Sequence, residues 1–147
     1  MITGFNHVGI SVRDVDRAIA WYQQMFDMEL CVPTFDFAGQ DFADIMGLER
    51  PRGRMCMLRK GNLQLELFEF ASPGPAAKDA NYPVANHGIS HFGFDVDDID
   101  ADYARLSAAG VRFHSPVITF PGGIKAAYAR DMDGNVFELL ESPAAGA

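Results

Sequence analysis

Polar and apolar positions along the chain run through one order of periods and then run through it again. Residues 5–12 (Phe-Asn-His-Val-Gly-Ile-Ser-Val) alternate loosely and are rich in β-forming types, which predicts a strand. From Asp14 the period becomes helical. Val15, Ala18, Ile19, Tyr22 and Phe26 fall on one stripe, Asp14 stands as N-cap, and the helix is expected to end near Asp27. Residues 28–35 read as a second strand bent at Pro33, which has no amide to give a ladder. Residues 36–51 are less regular, with a short helix expected around 42–46. Residues 54–59 and 63–70 predict a hairpin through Lys60-Gly61-Asn62, because Gly and Asn tolerate the positive φ of a tight turn.

A Pro/Gly/Ala-rich stretch, 71–87, then separates the halves. Residues 89–96 predict a strand, and Asp97 or Asp98 caps a helix burying Ile99, Tyr103 and Leu106. Gly110 is placed to end that helix in the left-handed conformation. Short strands are expected at 111–113 and 117–119. A hairpin of 125–130 and 136–141 turns at Asp131-Met-Asp-Gly-Asn135, and the tail from Ser142 is expected to fray. Each half thus reads βαβββ. One such unit is too small to bury the inner face of its own sheet, so two must share a core. The expected class is α+β: one domain over 1–147, with tandem βαβββ modules at 4–70 and 88–142, joined by linker 71–87 and curved into a half-open barrel with a cleft.

The repetition extends to individual residues. His7-Val-Gly-Ile-Ser-Val-Arg-Asp14-Val-Asp16 returns as His91-Phe-Gly-Phe-Asp-Val-Asp-Asp98-Ile-Asp100, and Leu65-Glu66-Leu-Phe-Glu69 returns as Phe137-Glu138-Leu-Leu-Glu141. Alternation places His7 with Gly9 and Ser11, opposite Val8 and Ile10, and places His91 with Gly93 and Asp95. Glu66 lies opposite Leu65 and Leu67, and Glu138 opposite Phe137 and Leu139. A single histidine or glutamate on a strand more often faces water or a hydrogen-bond partner than a metal. The doubling of both residue types outweighs that reading, since two imidazoles and two carboxylates suit a divalent ion. Glu69 and Glu141 read as solvent-side charges at strand ends. His87 and His114 read as structural or exposed.

Composition narrows the remainder. Apolar residues make up 48% of the chain and charged residues 22%, as in ordinary globular proteins, and the net charge of −8 argues against nucleic acid as a partner. No apolar run approaches the ~20 residues of a membrane span, and Met1-Ile-Thr-Gly-Phe lacks a basic leader start. A cytoplasmic protein with reduced Cys31 and Cys56 is expected.

The His7-Val-Gly-Ile-Ser-Val opening, Trp21-Tyr22, Gln64-Leu-Glu-Leu, Ile89-Ser-His91 with Asp97-Asp-Ile, and Asp131-Met-Asp-Gly-Asn-Val-Phe-Glu138-Leu resemble the vicinal oxygen chelate superfamily over nearly the whole chain. That superfamily includes glyoxalase I, methylmalonyl-CoA epimerase, extradiol dioxygenases and bleomycin-resistance proteins. Met132 stands where its hairpin usually has proline. The resemblance to glyoxalase I implies a metal held by His7, Glu66, His91 and Glu138, with Zn, Ni, Co, Mn or Fe as the divalent ion. It implies a lyase or isomerase acting on a small substrate that chelates the metal through adjacent oxygens and passes through an enediolate or enolate. Glu138 would move the α-proton, with Glu66 as its counterpart. Phe35, Phe37, Phe42, Phe68, Phe120 and Met57 could wall an apolar pocket. The resemblance also implies a homodimer. Alternatives on the same fold are an Fe(II) extradiol-type dioxygenase, against which a fourth acidic ligand argues, and a non-catalytic ligand-binding or resistance protein, against which the intact ligand set argues. The arginine expected near Ile10-Ser11-Val12 and the asparagine expected at Phe70 are missing, which speaks against glutathione.

Overall fold

Two sheets and three helices, an α+β arrangement, take up these periods in a computed structural model that describes residues 1–76 and 79–143. The chain divides into two units, residues 1–77 and 78–147. Positions 77 and 78 of the expected linker, and the tail from 144, lie outside the described residues. Among the described residues no helix is long and apolar enough to cross a membrane.

In the first unit the elements are β1 (Val8–Ser11), α1 (Val15–Phe26), β2 (Glu29–Ala38), α2 (Gln40–Met46), β3 (Arg52–Lys60) and β4 (Leu63–Ser72). The sheet order is β1-β4-β3-β2, with β1 parallel to β4 and the other pairs antiparallel. The first strand is shorter than the alternation suggests, so His7 stands just before it. Beside it the Gln64 side-chain amide donates to the Asn6 carbonyl at 3.4 Å, where a ladder bond would otherwise run. Asp14 caps α1 by accepting from the Arg17 amide at 2.9 Å, and Asp27 ends it at φ 51°. The buried stripe is Val15, Ala18, Tyr22 and Met25. Phe26 is only half-buried, with its ring 5.6 Å from that of Trp21. The β2–β3 register shifts between Leu30 and Val32 and again between Val32 and Phe35, the second interval holding Pro33 with its missing amide, and β2 continues to Ala38.

The second unit runs β5 (Phe92–Asp95), α3 (Ile99–Ala108), β6 (Arg112–Phe113), β7 (Ile118–Thr119), β8 (Lys125–Arg130) and β9 (Val136–Glu141). The order is β5-β9-β8-β6, with β5 parallel to β9 and β7 also paired to β8. Here the edge strand is two fragments with Pro116 between them, at the places where short strands are expected at 111–113 and 117–119. Asp98 is the cap, accepting from the Ala101 amide at 3.0 Å, and Gly110 follows the helix at φ 87°. Ile99 and Leu106 are fully buried, while Tyr103 is half-buried with its ring 4.4 Å from Phe113. At the hairpin, Asp131 accepts from the amides of Asp133 and Asn135 at 2.9 and 2.8 Å. Buried Arg130 donates to the carbonyls of Gly134 and Tyr82 at 3.0 and 2.8 Å, tying part of the expected linker to this unit.

The structure corrects the reading of Glu69 and Glu141 as charges turned to water. Glu69 shares the helix-packed face of β4 with Leu65 and Leu67, and its Oε2 accepts the Val15 amide, the first of α1, at 2.8 Å. Glu141 does the same for Ile99, the first residue of α3, also at 2.8 Å. Each carboxylate therefore meets the positive end of a helix dipole and satisfies a donor whose residue is buried. A basic residue completes each clip. Arg54 donates to both Asp16 oxygens at 2.8 and 2.9 Å, with Glu69 at 3.8 Å, and holds Asp16 below the usual carboxylate range. Lys125 lies 2.8 Å from Asp100 and 3.3 Å from Glu141. Glu69→Ala should cost about 1–3 kcal/mol in urea unfolding by orphaning the Val15 amide. Glu69→Gln, which keeps an acceptor, should recover most of that loss.

Both cysteines are free. Cys56 is fully buried, and burial pushes its thiol up to about 11 from an ordinary 9.0. Its native thiol should therefore resist alkylation at pH 8 and react once the chain is unfolded. Above pH 9.0 the unfolded chain sheds this proton while the folded chain keeps it, so Cys56 makes stability fall as pH rises toward about 11. Unfolding of Cys56→Ala across that range should show a shallower fall.

Candidate functional site

Each sheet presents one histidine and one glutamate at the same place in its parallel strand pair. Gly9 is opposite Glu66 in β1–β4, and Gly93 is opposite Glu138 in β5–β9. The histidine two residues before each glycine lies on that same face, and its Nε2 faces the carboxylate. His7 Nε2 is 3.2 Å from Glu66 Oε2, and His91 Nε2 is 3.3 Å from Glu138 Oε2. The carboxylates are matched in exposure as well, at 18% and 19% of their side chains. The glycines keep the ground beside them low: a Cβ at either would come within 3.6 Å of the glutamate Oε2.

The second ring nitrogen of each histidine is held by its chain neighbour. His7 Nδ1 lies 2.7 Å from Asn6 Oδ1, and His91 Nδ1 lies 2.8 Å from Ser90 Oγ. Asn6 Oδ1 accepts from His7 Nδ1, which leaves Nε2 as the ring nitrogen turned to the Glu66 carboxylate. An imidazole nitrogen and a carboxylate oxygen are both donors that a borderline divalent ion takes, and here they lie 3.2 Å apart. The donor chemistry and spacing thus fit a divalent ion, with outer hydrogen bonds of the kind that orient metal-bound imidazoles. Among the described residues no third histidine, cysteine or acidic group is gathered with either pair.

The alternation of β9 marks Glu138, but β8 adds a residue that the sequence reading missed. Tyr128 is paired in register with Glu138, and its hydroxyl is 3.3 Å from His91 Nε2. Burial, with Glu138 beside it, raises its phenol above the ordinary value. Its signal in the sequence was position, one bulky polar residue between Ala127 and Ala129. His87 is exposed. His114 is also largely exposed, yet it lines a cavity of about 230 Å³ together with Tyr128, Phe120 and Glu138.

The other expected pocket aromatics lie in the first unit. Phe37 is buried, packed at 5.3 to 5.8 Å against Phe42, Phe68 and Phe70, and so belongs to the core. Phe35 is exposed and Met57 is half-buried. Phe70 stacks on Phe68 at 5.6 Å, so an apolar ring occupies the place where an asparagine was expected. A second hollow, between Asp27, Glu29, Arg59 and Lys60, is lined by side chains that already pair with one another.

Residues 4–139 match the sequence profile of the Glyoxalase/Bleomycin resistance protein/Dioxygenase superfamily. The chain belongs to that superfamily. A lactoylglutathione lyase from Schizosaccharomyces pombe is 28% identical over 144 residues, covering 92% of this chain and 46% of the relative. The chain thus spans less than half the length of that curated relative. A glyoxalase family protein from Bacillus cereus superposes with a TM-score of 0.85 at 24% identity, covering 96% of this chain and 95% of that one. A genomically encoded fosfomycin resistance protein from Listeria monocytogenes, solved with Mn(II) and sulfate, superposes with a TM-score of 0.63 at 18% identity, covering 98% and 94% of the two chains. The two sheets and three helices described above are the glyoxalase-like fold of these neighbours.

Proposed function

We propose that this member of the superfamily is a metal-dependent lyase or isomerase of the glyoxalase I type, acting on a small substrate with two adjacent oxygens. The observation that carries the reading is the duplicated pair, a histidine Nε2 against a glutamate Oε2 at 3.2 Å in one half and 3.3 Å in the other. His7, Glu66, His91 and Glu138 would together hold one divalent ion, either within a chain or across a homodimer. Imidazole with carboxylate does not choose strongly among Zn, Ni, Co, Mn and Fe. A bound ion would supply Lewis-acid polarisation of the substrate oxygens. Support also comes from the superfamily itself, from a relative named as a lyase, and from a neighbour solved with Mn(II).

The chain's own residues would do the rest. Ser90 and Asn6 fix the imidazoles, and the glycines opposite the glutamates leave room for a substrate above them. Glu138 would take a proton from one substrate carbon and return it to the neighbouring carbon, with Glu66 as its counterpart. Elemental analysis of freshly purified protein tests the reading, with one divalent ion per set of four ligands as the expected result. Protein without stoichiometric metal, whose thermal melt ignores a chelator, would overturn it.

A further inference from the structure

The two halves match in histidine and glutamate but differ in the residue beside each glutamate. Met57 on β3 is in register with Glu66, and Tyr128 on β8 is in register with Glu138. Residues in register share a sheet face, so both stand on the side that carries the histidine and the carboxylate. A thioether has no hydrogen to give. A phenol at pH 7 keeps its proton and can donate or accept. The Tyr128 hydroxyl lies 3.3 Å from His91 Nε2, the same nitrogen that faces Glu138 and that the proposed function gives to a divalent ion. The other ring nitrogen, Nδ1, is already held by Ser90 Oγ at 2.8 Å.

An imidazole nitrogen has one in-plane position, filled by a proton or by a lone pair. If Nε2 carries the proton, Tyr128 accepts it; if Nε2 carries the lone pair, Tyr128 donates. In either case that contact must be given up when Nε2 becomes a metal ligand. The ring of Tyr128 is held separately, with its centroid 4.6 Å from that of His91 and 6.2 Å from that of His114. Tyr128 is only half-buried and lines the hollow beside Glu138, so a hydroxyl released from His91 finds water there. Displacing it therefore costs one net hydrogen bond and no buried, unpaired group.

We propose that the Tyr128 hydroxyl is a stand-in partner for His91 Nε2, holding that nitrogen while no ion is bound and giving way when one binds. Tyr128 is thus a positioning residue that acts through His91. It steadies the imidazole before loading, at the expense of metal affinity. The competition acts on one half only, since the matching position in the other half is Met57. The proposal rests on the assignment of His91 as a ligand in the proposed function.

The test compares the full chain with Tyr128→Phe, which keeps the ring and removes only the hydroxyl. Both are titrated with Zn(II), whose filled d shell adds no absorption of its own. Tyr128→Phe should bind Zn(II) about threefold more tightly, the low end of what one net hydrogen bond supplies. Its thermal melt should lie below that of the unaltered protein in chelator and match it in saturating Zn(II). Zn(II) should also shift the near-ultraviolet tyrosine band of the unaltered protein, and the substitution should remove that shift. Equal or weaker Zn(II) binding by Tyr128→Phe, equal melts in chelator, or a tyrosine shift that survives the substitution would each overturn the proposal while leaving the four-ligand site standing. A chain that takes up no Zn(II) would remove the site itself, and the competition with it.

Discussion

His91→Ala should weaken binding of a divalent ion by more than roughly 100-fold, and His7→Ala should do the same, since even outer hydrogen-bond partners of metal ligands are worth 10–100-fold. The two histidines share the same two contacts, Nε2 against a glutamate oxygen and Nδ1 held by the preceding residue, with Tyr128 added at His91. One ion shared by both pairs must therefore feel the loss of either. Titration with Zn(II) against a chromophoric chelator would measure this. Ser90→Ala should fall in the intermediate range by freeing the His91 ring, and Glu69→Ala, a clip residue on the other face of β4, should leave the affinity unchanged. If only one histidine mattered, the pairs would not share an ion, and the four-ligand site would have to be abandoned.

Phe137→Ala should destabilise the protein by about 3–5 kcal/mol, a large part of the 5–15 kcal/mol that domains usually possess. Phe137 is fully buried on β9, with ring centroids 6.4 Å from Phe92 and 6.0 Å from Phe94 on β5. Those rings fill the face behind Glu138, so the cavity left by truncation would open directly beneath the strand that carries it. Urea unfolding would give the magnitude, and a cost under about 1 kcal/mol would mean that the second sheet is not packed as described. The metal affinity of this variant would show how far Glu138 depends on that backing.

The fold was legible because its periods are long and duplicated. The 125–130 and 136–141 hairpin appears with the boundaries its alternation implies, and Asp14, Asp27 and Asp98 end helices as their residue types suggest. The two short edge strands expected at 111–113 and 117–119 appear as well, each trimmed by a residue to Arg112–Phe113 and Ile118–Thr119. The histidine and glutamate faces were legible from parity alone. Parity also placed Glu69 with Leu65 and Leu67, on the face of β4 that packs against α1, but a carboxylate's type suggests water, and only the fold brings a helix amide within its reach. Tyr128 was hidden for a related reason: its neighbours across the sheet come from register, which alternation within one strand does not supply.

The clips at the two helix starts make the chain its own two-sequence alignment. Both copies keep the carboxylate on the late strand, its bond to the first helical amide and an acid one residue further along the helix, yet one copy completes the group with Arg54 and the other with Lys125. What repeats is the part whose geometry is fixed, a carboxylate oxygen 2.8 Å from a main-chain nitrogen; what varies is the cation, which needs only to be near. By that internal comparison the amide bond is the essential member of the clip, and the basic residue is the one free to drift.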